Sequence, residues 1–171
     1  IAGMAGEAVT VFFVLSGFVI AYVARARDLT LSSYAISRAA RLYSVVVPAL
    51  LLTVILDFSG ARINPVPYEG LLDDAVAGIG ANLLFVNELW FVSIRPLSNI
   101  PFWSLGYEVC YYIIFAAAFY PRKLSTKCIA VAIACIVSGP KIQILLPIWL
   151  MGVAVYSMTR HRKPAEPIGW I

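Results

Sequence analysis

Charged residues are scarce in this sequence. Asp, Glu, Lys and Arg make up only 13% of the chain, whereas 61% of the residues are hydrophobic. Soluble domains carry about a quarter charged residues. The mean hydropathy is +0.88. This composition excludes an ordinary soluble domain and indicates an integral membrane protein whose first partner is the lipid bilayer.

Several groups that commonly carry site chemistry are also missing. The single histidine, His161, lies in a basic cluster, so we expect it to be solvated at the cytoplasmic face and not to act as a catalytic base. The three cysteines show no metal-ligand spacing and are expected to pack as small apolar residues. The sequence contains no Gly-rich phosphate loop and no nucleic-acid signature. We therefore expect no metal, no resident cofactor and no nucleic-acid partner.

Long apolar runs are abundant. Runs of about 17–20 residues can cross the roughly 30 Å hydrocarbon core of a bilayer as helices. Residues 43–58 and 142–158 each contain a proline, which we expect to kink the helix. The pattern predicts an all-α, polytopic transmembrane bundle with about five to six membrane segments. The runs lie at residues 8–24, 43–58, 75–94, 101–121, 128–139 and 142–158.

The basic residues predict which loops face the cytoplasm. Loops 25–42, 121–127 and 159–163 hold ten of the 13 Lys and Arg residues, so all three should be cytoplasmic. If all six runs crossed, two of these loops would lie outside. We therefore predict that 75–100 is a re-entrant or interfacial segment and that five runs cross. A sixth crossing with one misplaced basic loop is the alternative.

Two arginines mark the start of the second run. Arg38 and Arg41 are three residues apart in SRAARLY, so on a helix they share a face. Ser32 or Ser33 could cap that helix. Guanidinium groups bind phosphate through two parallel hydrogen bonds, so the pair could clamp a phosphorylated ligand. The same two arginines could instead anchor the cytoplasmic end of the helix to lipid headgroups, as the positive-inside rule describes.

An acidic residue lies inside the fourth run. Glu108 occurs in FWSLGYEVCYY, where Ser104 and Tyr111 or Tyr112 fall on the same helical face. An ionisable residue inside a span marks a candidate functional site, and Trp103 suits the membrane interface. Glu108 could accept a proton, orient a base, hydrogen-bond a sugar hydroxyl, or take part in a structural ion pair.

Other small or polar residues interrupt the apolar runs. Ser16 and Gly17 in the first run could permit close helix packing or line a cavity that a substrate approaches. Asn82, Asn87 and Glu88 interrupt the third run. They could bind a polar acceptor, or they could satisfy backbone groups left unpaired by a broken helix.

Three of these stretches, in this order, resemble the acyltransferase-3 family of bacterial membrane O-acyltransferases. VFFVLSGFVI is similar to the family's FFVLSGF span, SRAARLYSVVVPAL to its Arg-x-x-Arg segment, and PFWSLGYEVCYY to its Trp-Ser-Leu-x-x-Glu segment. The three matches are collinear and cover roughly residues 6–121. They identify the chain as resembling a single, partial acyltransferase-3 transmembrane domain over residues 1–171.

The resemblance implies a fold of roughly ten transmembrane helices and transfer of an acyl group, often acetyl, from acyl-coenzyme A to a carbohydrate hydroxyl. Arg38 and Arg41 would then bind acyl-coenzyme A as co-substrate. Glu108 would be the motif glutamate, with Trp103 and Ser104 leading into it. From the residues themselves we expect an acceptor cavity lined by Trp103, Ser104, Tyr111, Ser16, Asn82, Asn87 and Glu88. The family's catalytic histidine has no counterpart here. We therefore expect the chain to be an internal piece whose first helix precedes residue 1, and to be inactive alone.

The resemblance and the predicted topology together suggest transfer across the bacterial inner membrane, from a cytoplasmic donor to a cell-envelope or exported carbohydrate. Kinked helices, a re-entrant segment and an intramembrane acid also suit a glycan-lipid transporter or flippase. A non-catalytic assembly partner within the same family is a further alternative.

Overall fold

The computed structural model describes residues 2–161, and all regular secondary structure among these residues is helical. This confirms the predicted all-α class. The helices are α1 (Ala2–Ala26), α2 (Leu31–Ile63), α3 (Ala75–Leu83), α4 (Trp103–Phe119), α5 (Leu124–Ser138), α6 (Pro140–Gln143) and α7 (Leu146–His161). Short 3-10 turns occur at Val66–Tyr68 and Ile100–Phe102.

Three helices are long and apolar enough to cross a bilayer: Gly6–Ala26, Leu31–Ile63 and Ile100–Phe119. Helix α5 is apolar but shorter, at 15 residues. Large apolar side chains such as Leu51, Leu52 and Ile55 are exposed on α2. An exposed apolar surface of this kind is expected where lipid replaces water. The described residues thus form a helical membrane protein.

Helix α2 begins earlier than the apolar run predicts. Thr30 caps it by accepting a hydrogen bond from the backbone N–H of Ser33 at 3.2 Å, so neither Ser32 nor Ser33 is the cap. The basic segment 25–42 is therefore not a long loop, because only a few residues separate α1 from α2. Pro48 lies inside the continuous α2. Pro147, however, is the second residue of α7, where proline is tolerated without a kink.

The described chain forms two compact units, of which the first contains α1 and α7. Gly17 of α1 packs against the carbonyl oxygen of Trp149, and Gly152 of α7 packs against that of Val14. The indole Nε1 of Trp149 donates to the hydroxyl of Ser16 at 3.2 Å. Small residues thus let two helix backbones approach closely, which is the packing role predicted for Ser16 and Gly17.

The second unit contains α2 to α6, and in it α2 and α4 run antiparallel. The hydroxyl of Tyr34, near the start of α2, donates to the carbonyl oxygen of Tyr112 at 3.1 Å. Near the other end of α2, Asp57 accepts hydrogen bonds from the N–H and the hydroxyl of Ser98 at 2.9 and 2.7 Å. Ser98 precedes α4, so the two helices pass one another in opposite directions.

Residues 75–100, predicted to be a re-entrant segment, do not form a membrane-length helix. Helix α3 of this segment has nine residues, about 14 Å, which is less than half of the hydrocarbon thickness. The chain then turns back, since the side-chain amide of Asn82 donates to the carbonyl oxygens of both Gly78 and Ile94, at 2.7 and 3.0 Å. Gly78 itself packs against the carbonyl oxygen of Arg95.

Contacts with α2 show how deep this segment reaches. The hydroxyl of Tyr43 donates to the carbonyl oxygen of Leu83 at 3.0 Å, whereas Ser98 is bound by Asp57. Tyr43 and Asp57 are about 21 Å apart along α2 at the usual rise per residue. The segment therefore descends along α2 and returns to the level of Asp57 before α4 begins. This path is the one predicted for a re-entrant segment; its position in a bilayer stays a prediction.

Candidate functional site

Glu108 lies in the buried middle of α4. It is 3% exposed, and its carboxylate accepts a hydrogen bond from the hydroxyl of Tyr112, one turn further along the helix. A buried carboxylate needs such a donor, because burial without a partner is costly. The structure thus supports the predicted shared face for Glu108 and Tyr112. An oriented carboxylate of this kind can accept a proton or a hydrogen bond from a bound hydroxyl.

Arg38 and Glu108 each lie one turn away from the contact between α2 and α4. Arg38 follows Tyr34 by one turn of α2, and Glu108 precedes Tyr112 by one turn of α4. Because the helices are antiparallel, the turn from Tyr34 to Arg38 and the turn from Tyr112 back to Glu108 lead in the same direction from the Tyr34–Tyr112 hydrogen bond. Arg38 and Glu108 therefore both lie on the same side of the Tyr34–Tyr112 contact, each one turn along its own helix.

The two arginines of the predicted clamp have different surroundings. Arg38 is buried, its guanidinium lies 5.9 Å from the ring centre of Tyr34, and its Nε and Nη2 donate to the hydroxyl of Ser37. Arg41 is exposed. Arg38 is thus held in place by its neighbours, whereas Arg41 lies at the surface of α2. The role of the pair in donor binding stays a prediction.

The other predicted residues of α4 serve different contacts. Trp103 packs edge-to-face on Tyr107, with ring centres 5.1 Å apart. The hydroxyl of Ser104 donates to the carbonyl oxygen of Pro101, within the first turn, so it is directed away from Glu108. The hydroxyl of Tyr111 donates to the carbonyl oxygen of Ile142 at 2.8 Å. That hydrogen bond fastens α4 to α6.

The polar residues of the re-entrant segment divide into three roles. The side-chain amide of Asn82 donates hydrogen bonds to two backbone carbonyl oxygens, which is one of the two roles predicted for it. Glu88 forms an ion pair with Lys141 and accepts a hydrogen bond from the hydroxyl of Ser93 at 2.9 Å. Asn87 is completely buried, yet its side-chain nitrogen and oxygen have no hydrogen-bond partner. It lies against Gly106, two residues before Glu108.

The backbone of the same segment is strained. Among the described residues, the non-glycine residues with positive φ are Phe85, Trp90 and Leu97, at +56°, +54° and +57°. Large side chains rarely adopt this region, and such conformations persist only where surrounding contacts impose them. Their concentration in one short segment beside α4 suits a functional site more than a simple connection.

Two contributors to this region were not predicted from the sequence. Asp57 holds Ser98, and Lys141 pairs with Glu88 while also donating to the carbonyl oxygen of Val92 at 2.8 Å. Lys141 is an isolated cation between two apolar runs, and this isolation is the sequence feature that could have marked it as an ion-pair partner.

Among the described residues, no three His, Cys, Asp or Glu side chains cluster to hold a metal ion. The predictions for the side chain of His161 and for residues 162 and 163 fall outside the described part.

Comparison with known proteins assigns the family. The acyltransferase-3 family model, described as an acyltransferase domain, matches residues 2–167. The match extends well beyond the stretch 6–121 that carries the three motifs. No curated protein and no solved structure gives a significant match. Because the family model covers nearly the whole chain, the protein belongs to the acyltransferase-3 family of membrane acyltransferases.

Proposed function

We propose that the protein transfers an acyl group, in the first instance acetyl, from acyl-coenzyme A to a hydroxyl of a cell-envelope or exported carbohydrate. Family membership supports acyl transfer in a membrane. The donor and the acceptor are part of the proposal. Membership also favours this activity over glycan-lipid transport.

The observation that carries the proposal is that α2 and α4 are joined by the Tyr34–Tyr112 hydrogen bond, with buried Arg38 and buried Glu108 each one turn from that contact. Acyl transfer requires the thioester carbonyl of the donor to lie beside the acceptor hydroxyl and beside the group that receives or directs its proton. Arg38 is buried, and a guanidinium away from bulk water attracts phosphate more strongly than one at the surface.

The proposed reaction is attack of the acceptor hydroxyl oxygen on the thioester carbonyl carbon. The carbon–sulfur bond breaks, coenzyme A leaves as a thiol, and the hydroxyl proton passes to a base. Arg38 would bind donor phosphates. Glu108, held by Tyr112, would accept a hydrogen bond from the acceptor hydroxyl or orient the base that takes its proton.

The proposed location is the bacterial inner membrane, with segments 25–42, 121–127 and 159–163 on the cytoplasmic side. The excess of Lys and Arg in these segments supports this orientation. It gives Arg38 access to cytoplasmic acyl-coenzyme A, and it directs the start of α4 and its Trp103 toward the external face, where envelope glycans lie.

Binding of acetyl-coenzyme A to the purified protein tests the donor assignment. Arg38→Ala should weaken binding by about tenfold or more, since a charge-assisted hydrogen bond is lost. Arg62→Ala is the matched control, because Arg62 is exposed near the opposite end of α2. Equal binding by the wild type and Arg38→Ala would remove Arg38 from the donor site.

A further inference from the structure

The side-chain amide of Asn87 is an unused hydrogen-bonding group inside the protein. Its exposed fraction is 0%, and both Nδ2 and Oδ1 have no partner. The amide rests on α4 at Gly106, where an added Cβ would lie 2.9 Å from Oδ1.

Buried polar groups in native proteins are nearly always paired, so this amide raises the free energy of the ligand-free state. Asn82, five residues earlier, shows the usual solution, since its Nδ2 donates to two carbonyl oxygens. The Oδ1 of Asn82 is also buried without a partner, so Asn87 differs in that neither of its two side-chain polar atoms is bonded.

The surrounding contacts hold Asn87 in this position. Its own carbonyl oxygen accepts a hydrogen bond from the N–H of Ile94 at 2.9 Å. The neighbouring Glu88 is paired with Lys141, and the N–H of Trp90 donates to the carbonyl oxygen of Ser138 at 3.1 Å. These bonds connect the tip of the re-entrant segment to the α5–α6 turn.

We propose that Asn87 binds the hydroxyls of the acceptor, two residues of α4 away from Glu108. An amide that has both a donor and an acceptor available matches a hydroxyl, which both accepts and donates. An anion would leave Oδ1 unpaired, and a cation would leave Nδ2 unpaired. Neighbouring hydroxyls of a sugar satisfy both atoms at once. This assignment rests on the proposed function and adds to it a residue that selects the acceptor.

Binding of a hydroxyl requires the tip to move away from Gly106, because Asn87 is closed off in the ligand-free structure. The acceptor gains affinity because its hydroxyls provide hydrogen-bond partners for the Asn87 amide, which otherwise has none. A ligand shifts a conformational equilibrium only through such a difference in interaction. The unpaired amide supplies that difference.

The test compares Asn87→Leu with Asn82→Leu, two substitutions of similar size in one segment. Asn87→Leu removes two unpaired polar atoms and should raise the thermal unfolding midpoint by about 2–4 °C. Asn82→Leu removes two existing hydrogen bonds and should lower it. For Asn87→Leu we also expect the KM for de-O-acylated envelope glycan to rise about tenfold or more, with acetyl-coenzyme A binding unchanged.

A lower unfolding midpoint in Asn87→Leu would overturn the proposal, because it would show that a bound water or a structural bond satisfies the amide. An unchanged KM for the glycan would overturn it as well. If Asn87→Leu does not fold, Asn87→Ala provides the same KM comparison. The midpoint is measured without substrate, so its outcome does not depend on the proposed function, whereas a wild type that fails to bind acetyl-coenzyme A contradicts that function alone.

Discussion

The hydroxyl of Tyr34 donates a buried hydrogen bond to the carbonyl oxygen of Tyr112, 78 residues further along the chain. The ring of Tyr34 also packs on Phe115 and Tyr120, with ring centres 6.2 and 5.4 Å away. One residue of α2 thereby determines which turn of α2 lies beside the middle of α4. This contact places Arg38, one turn further along α2, on the side of α4 where Glu108 lies.

Tyr34→Phe should therefore destabilise the protein by about 1 kcal/mol, the usual net contribution of one buried hydrogen bond. Thermal unfolding in detergent measures the change. Tyr22→Phe is the control, because Tyr22 is 49% exposed and its loss of a hydroxyl should be nearly neutral. Equal midpoints for Tyr34→Phe and the wild type would show that the hydrogen bond does not hold the two helices.

Glu108→Gln should reduce acyl transfer by about 100-fold or more while leaving donor binding intact, since the carboxylate is proposed to act on the acceptor side. Tyr112→Phe removes the donor that orients Glu108 and should also slow transfer. Tyr111→Phe is the control for stability, because the hydroxyl of Tyr111 donates to the carbonyl oxygen of Ile142 and not to Glu108. This variant should unfold more easily, yet its acyl-transfer rate per folded molecule should be unchanged. Undiminished transfer by Glu108→Gln would exclude its proposed role.

The ion pair of Glu88 and Lys141 should show strong coupling in a double-mutant cycle. Either Glu88→Gln or Lys141→Met alone should destabilise the protein by about 1–3 kcal/mol, because each leaves a charge without its partner. Because the Lys141 side chain is 28% exposed, we expect a smaller loss of stability than for a fully buried ion pair. The double variant should cost less than the sum of the two single changes. Additive effects would show that the pair does not bind the re-entrant segment to the α5–α6 turn.

Close packing of α1 on α7 predicts opposite outcomes for different glycines. Gly17→Ala and Gly152→Ala add a Cβ where a backbone carbonyl of the other helix already lies, so both should lower the unfolding midpoint. Gly80→Ala is the control, because nothing lies within 4 Å of its added Cβ and alanine favours a helix. It should raise stability by about 0.5–1 kcal/mol. A stabilising Gly17→Ala would contradict the close approach.

Much of the helical framework could be predicted from the sequence. Hydrophobic runs located α1, α2 and α4 because burial of apolar residues in lipid requires length and apolarity, both of which a sequence displays. The count of basic loops indicated that residues 75–100 do not cross, since an additional crossing would have placed two of those loops outside. In the structure the chain returns beside Gly78 at Arg95, and whether the segment crosses the bilayer stays a prediction.

The contacts within the site could not be predicted in the same way. The pairing of Glu88 with Lys141 joins residues 53 positions apart, and no periodicity links them. Ser104 lies on the helical face of Glu108 by spacing, but its hydroxyl bonds Pro101 within the first turn. Asn82 and Asn87 look alike in sequence, yet only Asn82 finds partners, because the path of the returning chain decides which carbonyls each amide can reach.

The most direct test of the account is transfer of radiolabelled acetyl groups from acetyl-coenzyme A to envelope glycan in membranes. Membranes are taken from a strain that lacks the gene and from the same strain carrying wild-type or Glu108→Gln gene copies. The account predicts labelled glycan with the wild-type copy, and little or none with the deletion or with Glu108→Gln. Equal labelling in the deletion strain and in the strain carrying the wild-type copy would contradict it.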